Sequence, residues 1–211
     1  MAILAFPPVN TADEDGVLAI GGDLEVESLL LAYQNGIFPW PINSDYPLVW
    51  FAPPKRGVIF TDKIHLSKSF KKFLKHHSYE IKFNLHFQEV IDACQKVSRP
   101  HQSGTWITDE LKAAFVEFHR RGFAYAVSVH DKEKIVGGIY GVWIDQFVSG
   151  ESMFHYEDNG SKLALYSLLQ LLKEKNISML DTQMITNVVE SFGGVYISRE
   201  EFNHRLITLI N

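Results

Sequence analysis

Two stretches, Gly150-Glu151-Ser152-Met153-Phe154 and Leu180-Asp181-Thr182-Gln183, decide the fold that this sequence predicts. Each has an acidic residue at the polar end of an apolar run. Because residues i and i+2 of a strand point to the same face, Glu151 is expected to face the same way as Met153, and Asp181 the same way as Gln183. Two carboxylates, an amide and a thioether are therefore predicted to line one cleft.

The segment between the two stretches predicts one amphipathic helix. Asn159 or Ser161 can cap its beginning, and lysines near its end suit the helix dipole. Its broad apolar face consists of Leu163, Leu165, Leu168, Leu169, Leu171 and Leu172. A strand, a crossover helix and a strand give a parallel pair, and such sheets bind ligands beyond the carboxyl ends of their strands. The pattern therefore favours a functional cleft at Glu151 and Asp181, although a carboxylate that ends a strand is often only a turn former.

Composition and cysteine content narrow the class of protein. The chain has 211 residues, of which 46% are hydrophobic, so it can bury a sizeable core. Its single cysteine, Cys94, excludes an internal disulfide and a cysteine-rich zinc site, and suits a reducing compartment. No signal-like or membrane-spanning segment is present. A soluble, monomeric, cytoplasmic protein without a membrane partner is expected.

The charge of the chain is unevenly distributed. The formal net charge of -5 argues mildly against a dedicated nucleic-acid-binding protein. However, one predicted helix, starting near Ser67, carries a cluster of basic side chains: Lys68, Lys71, Lys72 and Lys75. A solvated helix face is the commoner explanation of such a cluster. The functional alternative is a local site for phosphate groups of a nucleic acid.

The order of predicted elements gives an α/β (α+β, mixed-sheet) fold with two domains. A helix at 26–34 ends at Gly36, and a segment rich in proline and aromatic residues follows. This segment predicts a small N-terminal domain at 1–62 and a larger domain at 63–211. In the larger domain, strands are predicted at 79–85, 124–129, 135–142, 147–153, 178–183 and 195–198. Helices are predicted at 86–97, from Thr108 to Gly122, and in a short segment that a capping box of Asn187 and Glu190 begins.

Several motif classes are absent. None of the nine histidines has a recognised metal-binding spacing, so no metal site is expected. There is no Walker A loop, no Gly-x-Ser-x-Gly elbow and no Gly-x-Gly-x-x-Gly fingerprint, which excludes nucleotide hydrolysis and hydride transfer. The nearest match to a glycine-spaced coenzyme A loop, residues 119–124, lies at a predicted helix C-terminus, whose dipole repels phosphate.

Five ordered blocks carry a resemblance to a known family. They are Gly16-Val17-Leu18-Ala19-Ile20-Gly21-Gly22-Asp23-Leu24, Ala32-Tyr33-Gln34-Asn35-Gly36-Ile37-Phe38-Pro39-Trp40, Gly104-Thr105-Trp106-Ile107-Thr108, Val136-Gly137-Gly138-Ile139-Tyr140-Gly141 and Gly150-Glu151-Ser152-Met153-Phe154. Together they resemble the leucyl/phenylalanyl-tRNA--protein transferase family, from about residue 16 to 202. The order of the five blocks makes the match far more specific than any one of them.

The resemblance implies both a fold and an activity. The family has a small N-terminal domain and a larger acetyltransferase-like (GNAT-like) domain. It transfers Leu or Phe from aminoacyl-tRNA to the N-terminal Arg or Lys of an acceptor protein. For this chain, transfer of Met is also expected. The modified protein is thereby marked for degradation in the bacterial cytoplasm. The resemblance implies that no metal or coenzyme is needed.

The resemblance also implies roles for individual residues. It implies Asp181, Gln183 and Glu151 as catalytic residues, and Trp40, Trp106, Ile139, Met153 and Leu168 as donor-binding residues. The two tryptophans would lie near the terminal adenosine of the tRNA. By residue chemistry alone, Trp40 and Trp50 suit a core, whereas Trp106 in its loop suits an exposed base-stacking ring.

Two positions depart from the family pattern. The family usually has Cys where this chain has Thr182, and His where it has Val188. The first change puts any essential thiol in doubt, and the second removes a histidine base. Two other functions therefore stay open. One is a related acyltransferase that uses coenzyme A or builds cell-wall bridges, and the other is a non-enzymatic module that binds basic protein N-termini.

Overall fold

The computed structural model describes residues 2–41, 46–97 and 105–210. The helices in these ranges are α1 (Val26–Gln34), α2 (Lys68–Leu74), α3 (Phe87–Lys96), α4 (Asp109–Arg120), α5 (Gly160–Glu174), α6 (Asn187–Ser191) and α7 (Arg199–Leu209). The strands are β1 (Val17–Ile20), β2 (Phe38–Pro39), β3 (Val49–Phe51), β4 (Lys55–Phe60), β5 (Glu80–Phe83), β6 (Ala124–Asp131), β7 (Lys134–Ile144), β8 (Phe147–Val148), β9 (Ser152–His155), β10 (Met179–Gln183) and β11 (Val195–Ser198). None of these helices combines the length and the apolar character that crossing a membrane requires.

The strands form three small sheets with a mixture of helices around them. The order is β1-β3-β2 in the first sheet, β10-β4-β11 in the second and β5-β6-β7-β8 in the third, where β9 also pairs with β7. Every pairing between these strands is antiparallel. Among the described residues, parallel pairing is limited to one bridge, between Ser149 and Asp181. The mixed α/β class is as predicted. The predicted pair of parallel strands around the crossover helix is not formed, and this single bridge is found in its place.

The predicted strand at 147–153 is interrupted, which explains why the parallel pair is so short. Strand β8 ends at Val148, and β9 begins at Ser152 and turns back onto β7. Gly141 allows the chain to pass closely at the break, because a Cβ at this position would collide with the carbonyl group of Ser149. Glu151 therefore lies between two strands, and the predicted alternation of strand faces does not apply to it.

Two predicted helix caps differ from those in the structure. Asn159 precedes α5 in the left-handed conformation (φ 66°), and its side chain makes no capping hydrogen bond. Thr186, not Asn187, caps α6 by accepting a hydrogen bond from the backbone N–H of Val189. The predicted cap Thr108 is confirmed at the start of α4, and α2 begins after Ser67, near which a helix was predicted to start.

Strands β1, β2, β3 and β4 and helix α7 were not predicted from the sequence, and the proline-rich segment contains the short strands β2 and β3. Strand β4 follows two prolines and lies between β10 and β11, so it pairs with strands near the C-terminus. It lies within 1–62, the predicted small N-terminal domain, and the boundary near residue 62 stays a prediction. Helix α7 begins after Ser198, whose side chain caps it by accepting a hydrogen bond from the N–H of Glu201. Its buried side chains, Phe202, Leu206 and Leu209, have the i, i+4, i+7 spacing of a helix, so a local signal for α7 was present in the sequence.

The core consists of two clusters of buried side chains. The first surrounds α1, α3 and α4, and the second surrounds α5. The predicted apolar face of α5 is confirmed, with Leu171 only half-buried and its other leucines buried. Strand β10 passes between the clusters: Met179 belongs to the first and Leu180 to the second, because successive side chains of a strand point to opposite faces. Asp181 follows directly, so the predicted site lies where the clusters meet.

Candidate active site

Glu151, Asp181 and Gln183, the three predicted catalytic residues, form one hydrogen-bonded group. The side-chain Nε2 of Gln183 donates to Oε1 of Glu151 at 2.9 Å. The backbone N–H of Gln183 donates to Oδ1 of Asp181, also at 2.9 Å. The backbone N–H of Gly150 donates to the Asp181 carbonyl oxygen at 2.8 Å and holds the two segments together. The structure therefore brings together the two stretches that the sequence singled out.

Asp181 and Gln183 are buried. Asp181 is 0% exposed and Gln183 is 6% exposed. The two side chains therefore do not line an open cleft, contrary to the prediction from the strand pattern. A buried carboxylate requires a compensating partner, and none was visible in the local sequence around Asp181.

The partner of Asp181 is Arg56 on β4, which the sequence patterns did not identify. Its Nε and Nη2 donate to Oδ1 and Oδ2 of Asp181 at 2.9 and 2.7 Å, and its Nη1 donates to the carbonyl oxygen of Gly36 at 3.0 Å. Only 2% of Arg56 is exposed. A usable signal did exist: Arg56 lies next to the apolar run Val58-Ile59-Phe60, and an arginine in a buried strand needs an acidic partner.

Aromatic rings enclose Arg56 and connect it to the two predicted tryptophans. The guanidinium carbon lies 4.6 Å from the ring centre of Phe38 and 4.5 Å from that of Phe202. Phe38 contacts Trp40 edge to face, and Trp40 stacks on Trp106 with ring centres 5.0 Å apart and planes at 14°. A continuous series of contacts therefore runs from both tryptophans to the hydrogen-bonded group.

Trp106 differs from the sequence expectation in its exposure, whereas Trp40 packs half-buried against the first core cluster. Trp106 is 8% exposed and packs in the first core cluster, so the predicted exposed indole is wrong. The reason is the stacking partner Trp40, which is remote in sequence. Gly104, which begins the predicted loop, lies outside the described residues. Trp50 is fully buried, as predicted for a core residue, and donates to the Gly21 carbonyl oxygen at 2.9 Å.

Glu151 lies in surroundings that favour its neutral form. Burial raises the pKa of its carboxyl group to about 7, and the nearby charge of Asp181 acts in the same direction. The hydroxyl of Ser149, which donates to Oε1 at 2.6 Å, opposes this increase, as do Tyr33 and Arg56. Since Ser149 and Gln183 both donate to Oε1, Oε2 is the oxygen that can carry the proton. Glu151 can therefore gain or lose a proton near neutral pH.

The remaining predicted donor-binding residues form an apolar group next to Glu151. Ile139 faces Met153 across β7 and β9, and both belong to the second cluster together with Leu168. A Cβ on Gly150 would lie 3.3 Å from Cδ1 of Ile139, so this group directly adjoins the segment before Glu151. Ile139 and Leu168 are buried, and Met153 is half-buried. Two surface cavities, of about 560 and 500 Å³, are lined by other residues.

The predicted basic helix is present as α2, and its four lysines are exposed: Lys68, Lys71, Lys72 and Lys75. Within the described ranges, none of them takes part in an ion pair. The opposite face of α2 is anchored by Phe70, which contacts Phe192 and Tyr166. The helix therefore presents a positive surface that the fold itself does not neutralise.

Comparison with known protein families gives a direct result. A family model described as leucyl/phenylalanyl-tRNA protein transferase matches residues 58–207, and one described as the N-terminal domain of the same transferase matches residues 22–54. The chain belongs to the leucyl/phenylalanyl-tRNA--protein transferase family. The resemblance carried by the five sequence blocks is thereby confirmed, and the protein is an enzyme of the aminoacyltransferase class.

Relatives with the name of this family cover nearly the whole chain. The protein of Flavobacterium johnsoniae is 46% identical over 94% of this chain and 93% of its own length. The proteins of Pseudomonas entomophila and Pseudoalteromonas atlantica are 42% and 44% identical over 96% of this chain, and the matches span 90% and 87% of their lengths. Among solved structures, L-PGS from Bacillus licheniformis aligns with a TM-score of 0.49 at 12% identity, covering 88% of this chain and 70% of that one.

The raised pKa of Glu151 predicts a pH-dependent stability. The folded protein retains a proton between pH 4.5, the ordinary pKa, and about 7, whereas the unfolded chain releases it, so the free energy of unfolding falls as pH rises through this window. Between pH 5 and 8, the free energy of unfolding of the parent should fall by on the order of 2 to 3 kcal/mol more than that of Glu151→Gln, because glutamine cannot titrate. Urea unfolding of both proteins checks this. Identical pH dependences would show that Glu151 is charged throughout.

Proposed function

We propose that this protein transfers Leu, Phe or Met from aminoacyl-tRNA to the N-terminal Arg or Lys of acceptor proteins and so marks them for degradation. Membership of the transferase family supports charged tRNA as donor and protein as acceptor. The observation that carries the proposal at the level of residues is the hydrogen-bonded group of Glu151, Gln183 and Asp181. In this proposal, the enzyme acts as a monomer in the cytoplasm.

The reaction requires positioning more than strong acid or base catalysis. The acceptor's α-amino nitrogen attacks the carbonyl carbon of the aminoacyl ester. A C–N bond forms, the ester C–O bond breaks, and the proton lost by the amine balances the one gained by the ribose oxygen. The ester is already activated, and a free α-amino group with a pKa near 8 is partly neutral at pH 7. Correct alignment of the two reactants can supply roughly 7 kcal/mol or more of rate enhancement.

Gln183 is proposed to contact the attacking amine. Its Nε2 donates to Glu151, so its carbonyl oxygen Oε1 remains as an acceptor for an N–H of the amine. This bond orients the nitrogen lone pair toward the ester carbon. Because Glu151 fixes the amide orientation, the acceptor end of Gln183 is defined before substrate binds.

Asp181 is proposed to act through Gln183 rather than on the substrate itself. Both of its carboxylate oxygens accept hydrogen bonds from Arg56, and Oδ1 also accepts one from the Gln183 backbone. A carboxylate with these partners, and no exposure, is unsuited to remove a proton from the amine. The site also contains a buried cation, Arg56, whose charge is paired with that of Asp181. This leaves Glu151 as the group proposed to attract a basic acceptor side chain.

The donor is proposed to bind between the two tryptophans and the apolar group. Trp40 and Trp106 would contact the terminal adenosine, and Ile139, Met153 and Leu168 would contact the donor side chain. Such an apolar surface distinguishes side chains that differ by a methylene by only about 1 to 3 kcal/mol. This weak discrimination supports acceptance of Leu, Phe and Met alike.

The two departures from the family pattern fit this proposal. The hydroxyl of Thr182 is buried without a hydrogen-bond partner in the described parts of the chain, so nothing observed gives it a chemical role. A thiol at this position would suit the same surroundings, because it loses less hydration on burial. Val188 lies half-buried against the second cluster, where a side chain contributes packing. Neither residue belongs to the hydrogen-bonded group.

The first test is transfer itself. With leucyl-tRNA and a peptide that begins with Arg or Lys, mass spectrometry should detect an added leucyl residue. A peptide that begins with Gln lacks the cation, and an acetylated peptide lacks the nucleophile, so neither should react. Dependence on coenzyme A would instead indicate a different acyltransferase. Binding of the Arg peptide without turnover would indicate a non-enzymatic module.

The second test concerns Gln183. Gln183→Met keeps the approximate length but removes the carbonyl acceptor, so kcat should fall by about 10²-fold or more. Thr182→Cys, in the adjacent residue, should change kcat little and serves as the control. Asp181→Ala should abolish transfer but also destabilise the fold by about 3 to 5 kcal/mol, because it leaves Arg56 buried and unpaired. Full activity of Gln183→Met would exclude it from the reacting centre.

The third test concerns tRNA binding by α2. If its lysines contact phosphates, each single change to Ala should reduce the slope of log affinity against log salt by about 0.7 to 0.9. The effect should be equal for all donor tRNAs. Lys173→Ala, an exposed lysine near the end of α5, is the matched control and should leave the slope unchanged. An unchanged slope when Lys68, Lys71, Lys72 and Lys75 are replaced together would assign the helix to solubility alone.

A further inference from the structure

We propose that Arg56 is the positioning residue of the reacting centre: it fixes Asp181, and through Asp181 it fixes the backbone of Gln183. This inference rests on the proposed role of Gln183 in transfer. Arg56 lies on β4, far in sequence from both residues, and contacts neither donor nor acceptor in this scheme. Its effect on the reaction is therefore indirect.

The first observation is that three hydrogen bonds and two aromatic rings fix the Arg56 side chain. Two parallel hydrogen bonds join it to Asp181, and a third joins it to the Gly36 carbonyl oxygen. The rings of Phe38 and Phe202 also pack against the guanidinium, with their centres 4.6 and 4.5 Å from its carbon atom. A guanidinium group in such surroundings has one orientation, and it imposes that orientation on the carboxylate that it binds.

The second observation is the backbone conformation of Gln183. Its φ is +53°, in the left-handed region, and the pairing of β10 with β4 is irregular between Asp181 and Gln183. A residue other than glycine occupies this region at an energetic cost, and does so only where the surroundings fix it. The fixing contact is the hydrogen bond from the Gln183 N–H to Oδ1 of Asp181. The same Oδ1 accepts from Nε of Arg56.

These two observations connect Arg56 to the Gln183 amide. Arg56 sets the carboxylate plane of Asp181, and the carboxylate holds the N–H of Gln183 in its left-handed conformation. That conformation directs the side-chain amide toward Glu151, to which it donates. If the carboxylate could rotate, the backbone would relax and the amide would leave its place beside Glu151.

Stability by itself does not account for the ion pair. Replacing a buried pair with apolar residues of similar volume is often neutral or stabilising, because desolvation offsets the attraction of the charges. Orientation, by contrast, requires the planar fork of arginine. A lysine offers a point charge that can bond to Asp181 without fixing its plane.

The test uses three variants of the full-length protein. Arg56→Met removes the cation, Arg56→Lys keeps the charge without the fork, and Arg199→Met is the matched control. Arg199 also lies within the fold and donates to two backbone oxygens, those of Pro53 and Val9, but it does not contact Asp181. The thermal midpoint, kcat, and KM for leucyl-tRNA and for an Arg-initiated peptide are measured for each.

A positioning role predicts a split between kcat and KM. Arg56→Met should lower kcat by about 10²-fold, since a small displacement of a reacting group has this effect. Its KM for leucyl-tRNA should change less than about threefold, because transition-state alignment rather than binding is lost. Arg56→Lys should recover part of kcat. Arg199→Met should lower the thermal midpoint while kcat stays at the parent level.

A double-mutant cycle tests whether the effect passes through Asp181. Asp181→Asn retains an oxygen that can accept the Gln183 N–H. If Arg56 acts through Asp181, the second substitution should cause little further loss. The combined variant Arg56→Met with Asp181→Asn should then have about the same kcat as the single variant with the lower kcat. If the two losses multiply instead, Arg56 acts by another route, such as its bond to Gly36, and the inference is wrong.

The controls separate this inference from the proposed function. No transfer by the folded parent protein would refute the proposed function. Transfer by the parent together with full activity of Gln183→Met would refute the placement of the reacting centre. If both of those results support the proposal, but Arg56→Met is folded and has the kcat of the parent, then Arg56 has only a structural role.

Discussion

The buried ion pair between Arg56 and Asp181 is the interaction on which the site depends. It joins β4 to β10, and the third bond of Arg56 reaches Gly36, just after α1. Phe38 and Phe202, which cover the guanidinium, come from β2 and α7. Segments from the beginning, the middle and the end of the chain therefore meet at one side chain. An unpaired charge at this depth would be strongly unfavourable, so each partner is needed for the other to be buried.

The break between β8 and β9 is the second determinant of the site. A continuous strand would have kept Glu151 in a regular ladder, with its backbone pairs made on both sides. Instead, the chain crosses from β8 to β9 through Ser149, Gly150 and Glu151, and it touches β10 at a single parallel bridge. This crossing brings the Glu151 carboxyl beside Gln183 and partly buries it next to the hydroxyl of Ser149. Its raised pKa follows from that burial.

The site lies between the two core clusters. The tryptophan pair that connects to Arg56 through Phe38 belongs to the first. The second contains the aliphatic side chains of α5 with Ile139 and Met153. A flat aromatic surface suits a nucleobase, and an aliphatic surface suits an apolar side chain. In the proposed function, these two surfaces contact the two ends of an aminoacylated nucleotide, and the hydrogen-bonded group lies between them.

The sequence by itself determined the helices with clear caps or apolar faces, the order of most strands, the family, and the residue types at the site. Helices α1, α4 and α5 follow from local signals: a glycine after the end, a threonine cap and a periodic leucine face. The tertiary structure decided what these residues do together. Whether Asp181 faces solvent or a buried arginine depends on β4, which is distant in sequence, and the stacking of Trp106 on Trp40 depends on contacts between distant segments. Side-chain periodicity describes one element at a time, so it cannot specify a charge partner, a ring partner or a break in a strand that a distant segment imposes.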